Sequence, residues 1–234
     1  MSMLKDTLVR QVAKMCAEQM DYRRGEIKIL GAKIKPPSPY TLPDWMSFYV
    51  SYVKENFRKP DSVEALEHFL NFLAKQHTLF ESIHPFEDGN GRTGRIIVNY
   101  LLLSAGLPLV IIKAKERRDT YIKGLERAEE PLREIMHLQT FEVEKASKAM
   151  ESIKASQLVE LFKEALRESL DRILTTMLEA KGYKLSPSEE VAKELGYSAS
   201  TIRGLVRRGY FIAVKRGKSW WTSPMFDLRR GNIL

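Results

Sequence analysis

The strongest constraint on this chain is a break between two helical patterns. The first runs from about Asp61 to Ile83, with Val63, Leu66, Phe69, Leu70, Leu73, His77, Phe80 and Ile83 recurring at helical spacing. Asp61 is placed to cap it, and Pro85 cannot continue its hydrogen-bond ladder. The stretch HPFEDGNGRTGR, His84 to Arg95, follows. RTGRIIVNYLLLSAGLP then opens a second helix that is apolar on almost every side. That pattern predicts a central, buried helix stopped by Gly106 and Pro108. Few residues of the intervening stretch suit a core, so they point to binding or chemistry.

The glycines and Asn90 fit a turn that needs positive φ and close backbone approach. Successive amides in such a turn form an anion-binding nest, and the helix that follows presents its positive end. Arg92 and Arg95 are three apart, so one helix face carries both guanidiniums, a match for a polyphosphate. Asp88 supplies a hard oxygen ligand through which Mg²⁺ bridges phosphates. His84 has the proton affinity of a base near neutral pH. Together these parts suit transfer of a phosphorus group to a nucleophile. Two other motifs fail. GNGRTG fits the dinucleotide fingerprint formally, but a helix and His-Pro precede it where a strand is required. A P-loop is excluded because Gly94 is followed by Arg-Ile.

HPFEDGNGRTGR resembles the signature of Fic-domain proteins, His-x-Phe-x-Asp/Glu-Gly-Asn-Gly-Arg-x-x-Arg, at every specified position. YRRGEIKILGAKIKPPSPYTLPDWM upstream resembles that family's flap, and ERRDTYIKGLERAEE downstream resembles its core, so the likeness covers roughly residues 1–145. The resemblance implies a mainly α fold and a protein adenylyltransferase moving AMP from Mg·ATP to a target protein's hydroxyl. On that likeness, His84 would deprotonate a Ser, Thr or Tyr hydroxyl. Asp88 would hold Mg²⁺ on the α and β phosphates, and Gly89, Asn90 and Gly91 would form the anion hole. Arg92 would take the β phosphate and Arg95 the γ phosphate, with Phe86 anchoring the loop. A short β-hairpin or extended flap over Glu26–Lys35, with Glu26, Ile27, Lys28, Ile29 and Leu30, would align the target by strand addition. Doc-type relatives, which transfer phosphate, typically carry Ala-Asn-Lys where this chain has Gly89-Asn90-Gly91. Gly91 therefore favours AMP, although the same groups also serve AMP removal.

Elsewhere the chain divides in character. The net charge is +8. Residues 181–234 hold eleven Lys/Arg against four acids, nearly the whole excess, which points toward nucleic acid. SPSEEVAKELGYSASTIRGLVRRGYFIAVKRGKSWWTSP resembles excisionase- or MerR-type winged helix-turn-helix domains. Ser188 would cap a first helix. Ala199–Arg208 would be the second, with Ser200, Thr201, Arg203 and Arg207 facing outward. Two strands around Arg216-Gly217-Lys218 would make a basic wing, with at least one of Trp220 and Trp221 in the core. DNA binding and protein interaction both remain open for this module. The expected organisation is a catalytic domain over 1–145, a helical linker over 146–182 and a winged helix over 183–234. The linker holds one long amphipathic helix whose stripe (Leu158, Leu161, Phe162, Ala165, Leu166, Ile173, Leu174, Met177) reads as intramolecular packing, with a homodimer seam as the other use.

No run of about 18 apolar residues exists, so no membrane helix is expected. Charges interrupt any signal-peptide core at the N-terminus. The single cysteine, Cys16, excludes an internal disulfide and fits a core position in a helix over 4–20, in a reducing, cytoplasmic setting. His77 reads as a buried structural residue and His68 and His137 as surface or partly buried ones. The inhibitory pattern Ser/Thr-x-x-x-Glu-Gly/Asn of Fic proteins occurs once, as SYVKEN at Ser51–Asn56, outside its usual position. The expectation is a chain without an internal brake, or one held by a separate inhibitory partner. The rival to the enzyme reading is a DNA-binding transcriptional regulator whose Fic domain senses nucleotide.

Overall fold

The structure is a computed structural model describing residues 22–112 and 114–230. The helix expected over 4–20, with Cys16, lies outside the described residues. The chain divides into two compact units, Met1–Leu107 with Lys113–Leu161, and Pro108–Ile112 with Phe162–Leu234.

The first unit is helical. Helices α1 (Leu42–Asn56), α2 (Val63–Ile83), α3 (Asn90–Ser104), α4 (Ala114–Ala128), α5 (Glu130–Met136) and α6 (Val143–Ser152) build it, together with the start of α7 (Ser156–Ala180). The axis of the core is α2. Phe69, Leu70, Leu73, Phe80 and Ile83 are buried along it, against Leu42, Trp45, Met46 and Tyr49 of α1 and Val98, Leu101 and Leu102 of α3. Each such fully buried side chain contributes roughly 1.5–3 kcal/mol through water exclusion. One polar contact joins α1 to α2: the Tyr49 hydroxyl donates to Gln76 Oε1 at 2.8 Å. His77 is fully buried, as its apolar face predicts, and His68 and His137 are exposed.

Several local expectations are corrected. Ser62, rather than Asp61, caps α2; its Oγ accepts from Ala65 N–H at 3.1 Å, because Ser62 is still extended and the helix starts at Val63. Helix α3 is buried on one face only. Ile96, Tyr100 and Leu103 are exposed, so its near-continuous apolar pattern overstated its burial. Of the two forms expected for the flap, the hairpin is not formed and the extended one is. Residues 22–40 contain no strand among the described residues; the segment is extended and turns at Gly31, where Ala32 N–H donates to Ile29 O at 3.2 Å. Ile27 and Ile29 are only half-buried and Leu30 is 95% exposed, so a two-stranded ribbon there would have no apolar face to cover.

In the second unit, β1 (Ser186–Pro187), β3 (Ser219–Thr222) and β2 (Val214–Arg216) form an antiparallel sheet in the order β1-β3-β2. Helices α8 (Ser188–Glu194) and α9 (Ala199–Arg207) pack beside it over Val191, Ala192, Ile202, Leu205, Val206, Phe211 and Phe226. Two 3₁₀ turns, Pro224–Phe226 and Leu228–Arg230, close the unit. Ser188 does not cap α8; Pro187 holds that position and Ser188 is buried. Trp220 and Trp221 both pack against the cluster while staying partly exposed. Along α7, Leu158, Leu161, Phe162, Ala165 and Leu166 are buried as expected, whereas Ile173, Leu174 and Met177 are exposed, and the buried positions near the end of the helix are Thr175 and Leu178 instead. No helix among the described residues is long and apolar enough to cross a membrane.

Candidate active site

The loop begins where α2 is forced to stop. His84 adopts φ 49°, ψ 61°, the only positive φ outside glycine among the described residues. This left-handed geometry costs a non-glycine residue about 1–3 kcal/mol unless its surroundings hold it. Several groups do. The His84 N–H donates to Phe80 O at 3.1 Å, and the His84 carbonyl accepts from Arg23 Nε at 2.9 Å. The ring Nδ1 lies 3.1 Å from Glu81 O. A carbonyl only accepts, so in the neutral ring Nδ1 carries the proton and Nε2 keeps its lone pair. Burial lowers the imidazole pKa, the Glu81 carbonyl partly opposes that, and the Arg23 charge lowers it further. The ring is therefore neutral near pH 7, as a general base must be.

Pro85 and Phe86 lead away from α2, with Phe86 packed on Phe80 (centroids 6.3 Å) and Tyr22 (6.4 Å). Asn90 closes the turn. Its Oδ1 accepts from Phe86 N–H at 2.9 Å and its Nδ2 donates to Phe86 O at 2.7 Å. Its side chain is thus a buried clasp, and only its backbone N–H remains for an anion. Gly89 sits at φ 84°, the conformation that requires glycine. Intrahelical bonding in α3 starts with Thr93 N–H to Gly89 O at 2.9 Å, which leaves the amides of residues 90–92 at the open helix end. The Gly89 N–H is taken by Asp88 Oδ1 at 2.6 Å, and Asp88 Oδ2 accepts from Arg92 Nη2 at 2.9 Å. Both side chains are largely exposed, so this pair can open to other partners.

Arg95 lies one turn along α3. A Cβ at Gly91 would meet its Nη1 at 3.2 Å, so the missing side chain leaves the guanidinium room across the helix start. A buried polar cluster in the α2–α3 seam supports it. His77 Nε2 and the Tyr121 hydroxyl are 2.7 Å apart, Tyr121 hydrogen-bonds Arg95, and Glu81 lies 3.8 Å from His77. Burial pushes His77 down to about 3 and Glu81 up to about 7, with the Arg95 charge pulling Glu81 back only in part. Gly94 permits this close approach, since a Cβ there would lie 2.4 Å from Glu81 Oε1. Sequence reasoning missed Glu81, Tyr121 and Arg23 as site neighbours. The available signal for Glu81 was a carboxylate four residues after His77, near the end of a buried helix.

Of the flap residues, Glu26, Lys28 and Leu30 are exposed and Ile27 and Ile29 half-buried. The Ser51–Asn56 segment forms the end of α1, where Ser51, Glu55 and Asn56 line an open groove with Phe48, Tyr52, Lys75 and Phe141. The described residues contain no cluster of three or more His, Cys, Asp or Glu side chains suited to a metal. Asp88 alone fits a role in which phosphate oxygens supply further ligands.

The nucleic-acid candidates lie in the second unit. Arg203 and Arg207 are exposed on α9, with Arg203 Nη1 3.5 Å from Glu189 Oε1. Ser200 and Thr201 sit in its first turn, and their hydroxyls contact Ser198 Oγ at 2.8 Å each. Lys218 is exposed at the β2–β3 turn. Arg216 stacks over Trp221 at 5.3 Å and pairs with Glu179, so it is already engaged.

Residues 4–102 match the family model described as Fic/DOC family. An Aquifex aeolicus protein described as a probable protein adenylyltransferase is 33% identical over 208 residues, covering 85% of this chain and 59% of its own length. A protein adenylyltransferase Fic of Aedes aegypti is 37% identical over 112 residues, 47% of this chain and 20% of that protein. The chain thus spans 59% and 20% of the lengths of these two relatives. A solved Fic family protein from Desulfovibrio desulfuricans is a distant likeness, with a TM-score of 0.46, 21% identity, and 89% and 65% coverage of the two chains. The stretch that matches the Fic/DOC family model includes the whole His84–Arg95 loop.

Proposed function

We propose that this protein transfers AMP from Mg·ATP to a Ser, Thr or Tyr hydroxyl of a target protein. The observation that carries the reading is the state of His84: a neutral ring with Nδ1 tied to Glu81 O and Nε2 free to accept a proton. The target hydroxyl gives its proton to Nε2 while its oxygen attacks the α phosphorus. The bond from that phosphorus to the bridging oxygen breaks, and pyrophosphate leaves. Mg²⁺, held through Asp88 and the phosphates, would supply charge neutralisation. The amides of residues 90–92 receive phosphate oxygens, and Arg92 and Arg95 clamp the β and γ phosphates. Arg92 must exchange its Asp88 partner for phosphate, which two exposed side chains permit. Gly91 supports AMP over phosphate as the transferred group, because a side chain there would press on the Arg95 guanidinium.

The second unit supports a further role. Two short helices, a three-stranded sheet and exposed Arg203, Arg207 and Lys218 fit a winged helix that contacts DNA phosphates. That module would act beside the transfer activity.

The test is label transfer to protein in a cell lysate from ATP labelled at the α or the γ phosphate, with His84→Ala in parallel. Label from α only, absent in the variant, is expected. Label from γ only would mean phosphate transfer and would overturn the reading.

A further inference from the structure

Arg23 lies outside the loop and touches none of the proposed reacting groups, yet its side chain is almost wholly buried. Its backbone N–H donates to Pro85 O at 2.9 Å. Its guanidinium then reaches three carbonyls from three segments: Nε to His84 O at 2.9 Å, Nη1 to Gly25 O at 3.0 Å and Nη2 to Pro37 O at 2.5 Å. His84 belongs to the catalytic loop, Gly25 starts the flap and Pro37 ends it. All three side-chain acceptors are neutral carbonyls, so burying this cation is costly, and burial does lower its pKa. A stability role alone would be met more cheaply by an apolar side chain.

The geometry of His84 explains the arrangement. In the left-handed region its carbonyl has left the α2 ladder and needs a donor from elsewhere. Arg23 Nε is that donor, and the same rigid fork holds both roots of the flap. The planar guanidinium transmits position: the flap roots cannot shift without pulling on the His84 carbonyl.

We propose that Arg23 is a positioning residue that locks the flap to the catalytic base, so that a target segment lying along residues 26–30 meets His84 Nε2 in a fixed place. The kinetic consequence rests on the AMP-transfer reading; the mechanical coupling does not.

The experiment compares the full chain with its Arg23→Lys variant, which keeps the charge but concentrates its donors on one nitrogen. Hydrogen–deuterium exchange is read over residues 24–36 and 84–89. Both segments are expected to exchange at least about tenfold faster together, with α1 and α6 unchanged. Acceleration of one segment alone would overturn the coupling. Loosening of α1 and α6 with a large drop in Tm would also overturn it, in favour of a merely structural role. Where the wild type transfers AMP, kcat/KM for the target should fall by about 100-fold, with the KM for ATP unchanged within about twofold. A rise in the KM for ATP equal to the loss in transfer would overturn the proposal. Absence of any transfer by the wild type would end the AMP reading while the exchange result still decides the coupling.

Discussion

At the scale of single residues, His84 meets two demands that pull against each other. As the residue that ends α2 it occupies backbone geometry that favours glycine, and as the proposed base it needs an imidazole with a fixed tautomer. Burial and the Arg23 charge lower its pKa, so the base form persists below the usual imidazole value of about 6.5. The acid limb of a kcat/KM profile for AMP transfer should therefore have its midpoint below about pH 6.5. Glu81 titrates near 7 in the same helix and would add its own inflection. The profile is best taken in Glu81→Gln, where an acid limb remaining near 7 would remove His84 as the base. The same scale shows what sequence could and could not convey. The chemical types in the loop were legible because anion nests, clamps and bases need those side chains in that spacing. The inward turn of Asn90 onto Phe86 was not, because an asparagine suits a clasp and an anion hole equally well until the backbone is known.

Among the elements, α2 and α3 were legible from periodicity and from the Pro85 stop, since a helix with a wide apolar stripe has few other ways to bury it. The flap was not. Alternating Ile27 and Ile29 gave a strand pattern, but strand pairing needs a covered face, and none forms there. How closely α2 and α3 approach was also hidden, because Gly94 looked like one more glycine of the loop. In the structure it is the point where the buried cluster passes beneath α3. Gly94→Ala would force its Cβ against Glu81 Oε1 at 2.4 Å and His77 Cε1 at 3.0 Å. Urea unfolding should show a loss of about 1–3 kcal/mol, typical of overpacking. Gly204→Ala in α9 is the counterpart. A Cβ there meets nothing within 4 Å, and the residue is helical without positive φ. That substitution should stabilise the chain by about 0.5–1 kcal/mol through helix propensity. Equal effects of the two changes would show that the α2–α3 contact is slack.

For the whole molecule, the useful quantity is the uneven charge. Nearly all of the +8 excess falls in residues 181–234, and the second unit displays Arg203, Arg207 and Lys218 on its surface. Composition made that asymmetry legible. The limits of the compact units were less so, because the division falls between Leu161 and Phe162, inside the continuous helix α7, where no proline, glycine or polar run marks it. If the second unit binds DNA through its charge, affinity for a duplex must fall steeply with salt, since each phosphate contact releases counterions and adds about 0.9 to the slope of log affinity against log salt. Arg203→Ala with Arg207→Ala should then weaken binding and reduce that slope by about two, similarly on unrelated sequences. Arg216→Ala should change the slope less, because Arg216 already pairs with Glu179 and covers Trp221. AMP transfer by the double variant should match the wild type. Fluorescence anisotropy on a labelled duplex across a salt series reads the slopes. Affinity indifferent to salt, or a slope unmoved by the double substitution, would remove DNA from the account and leave the basic module a protein-contact surface.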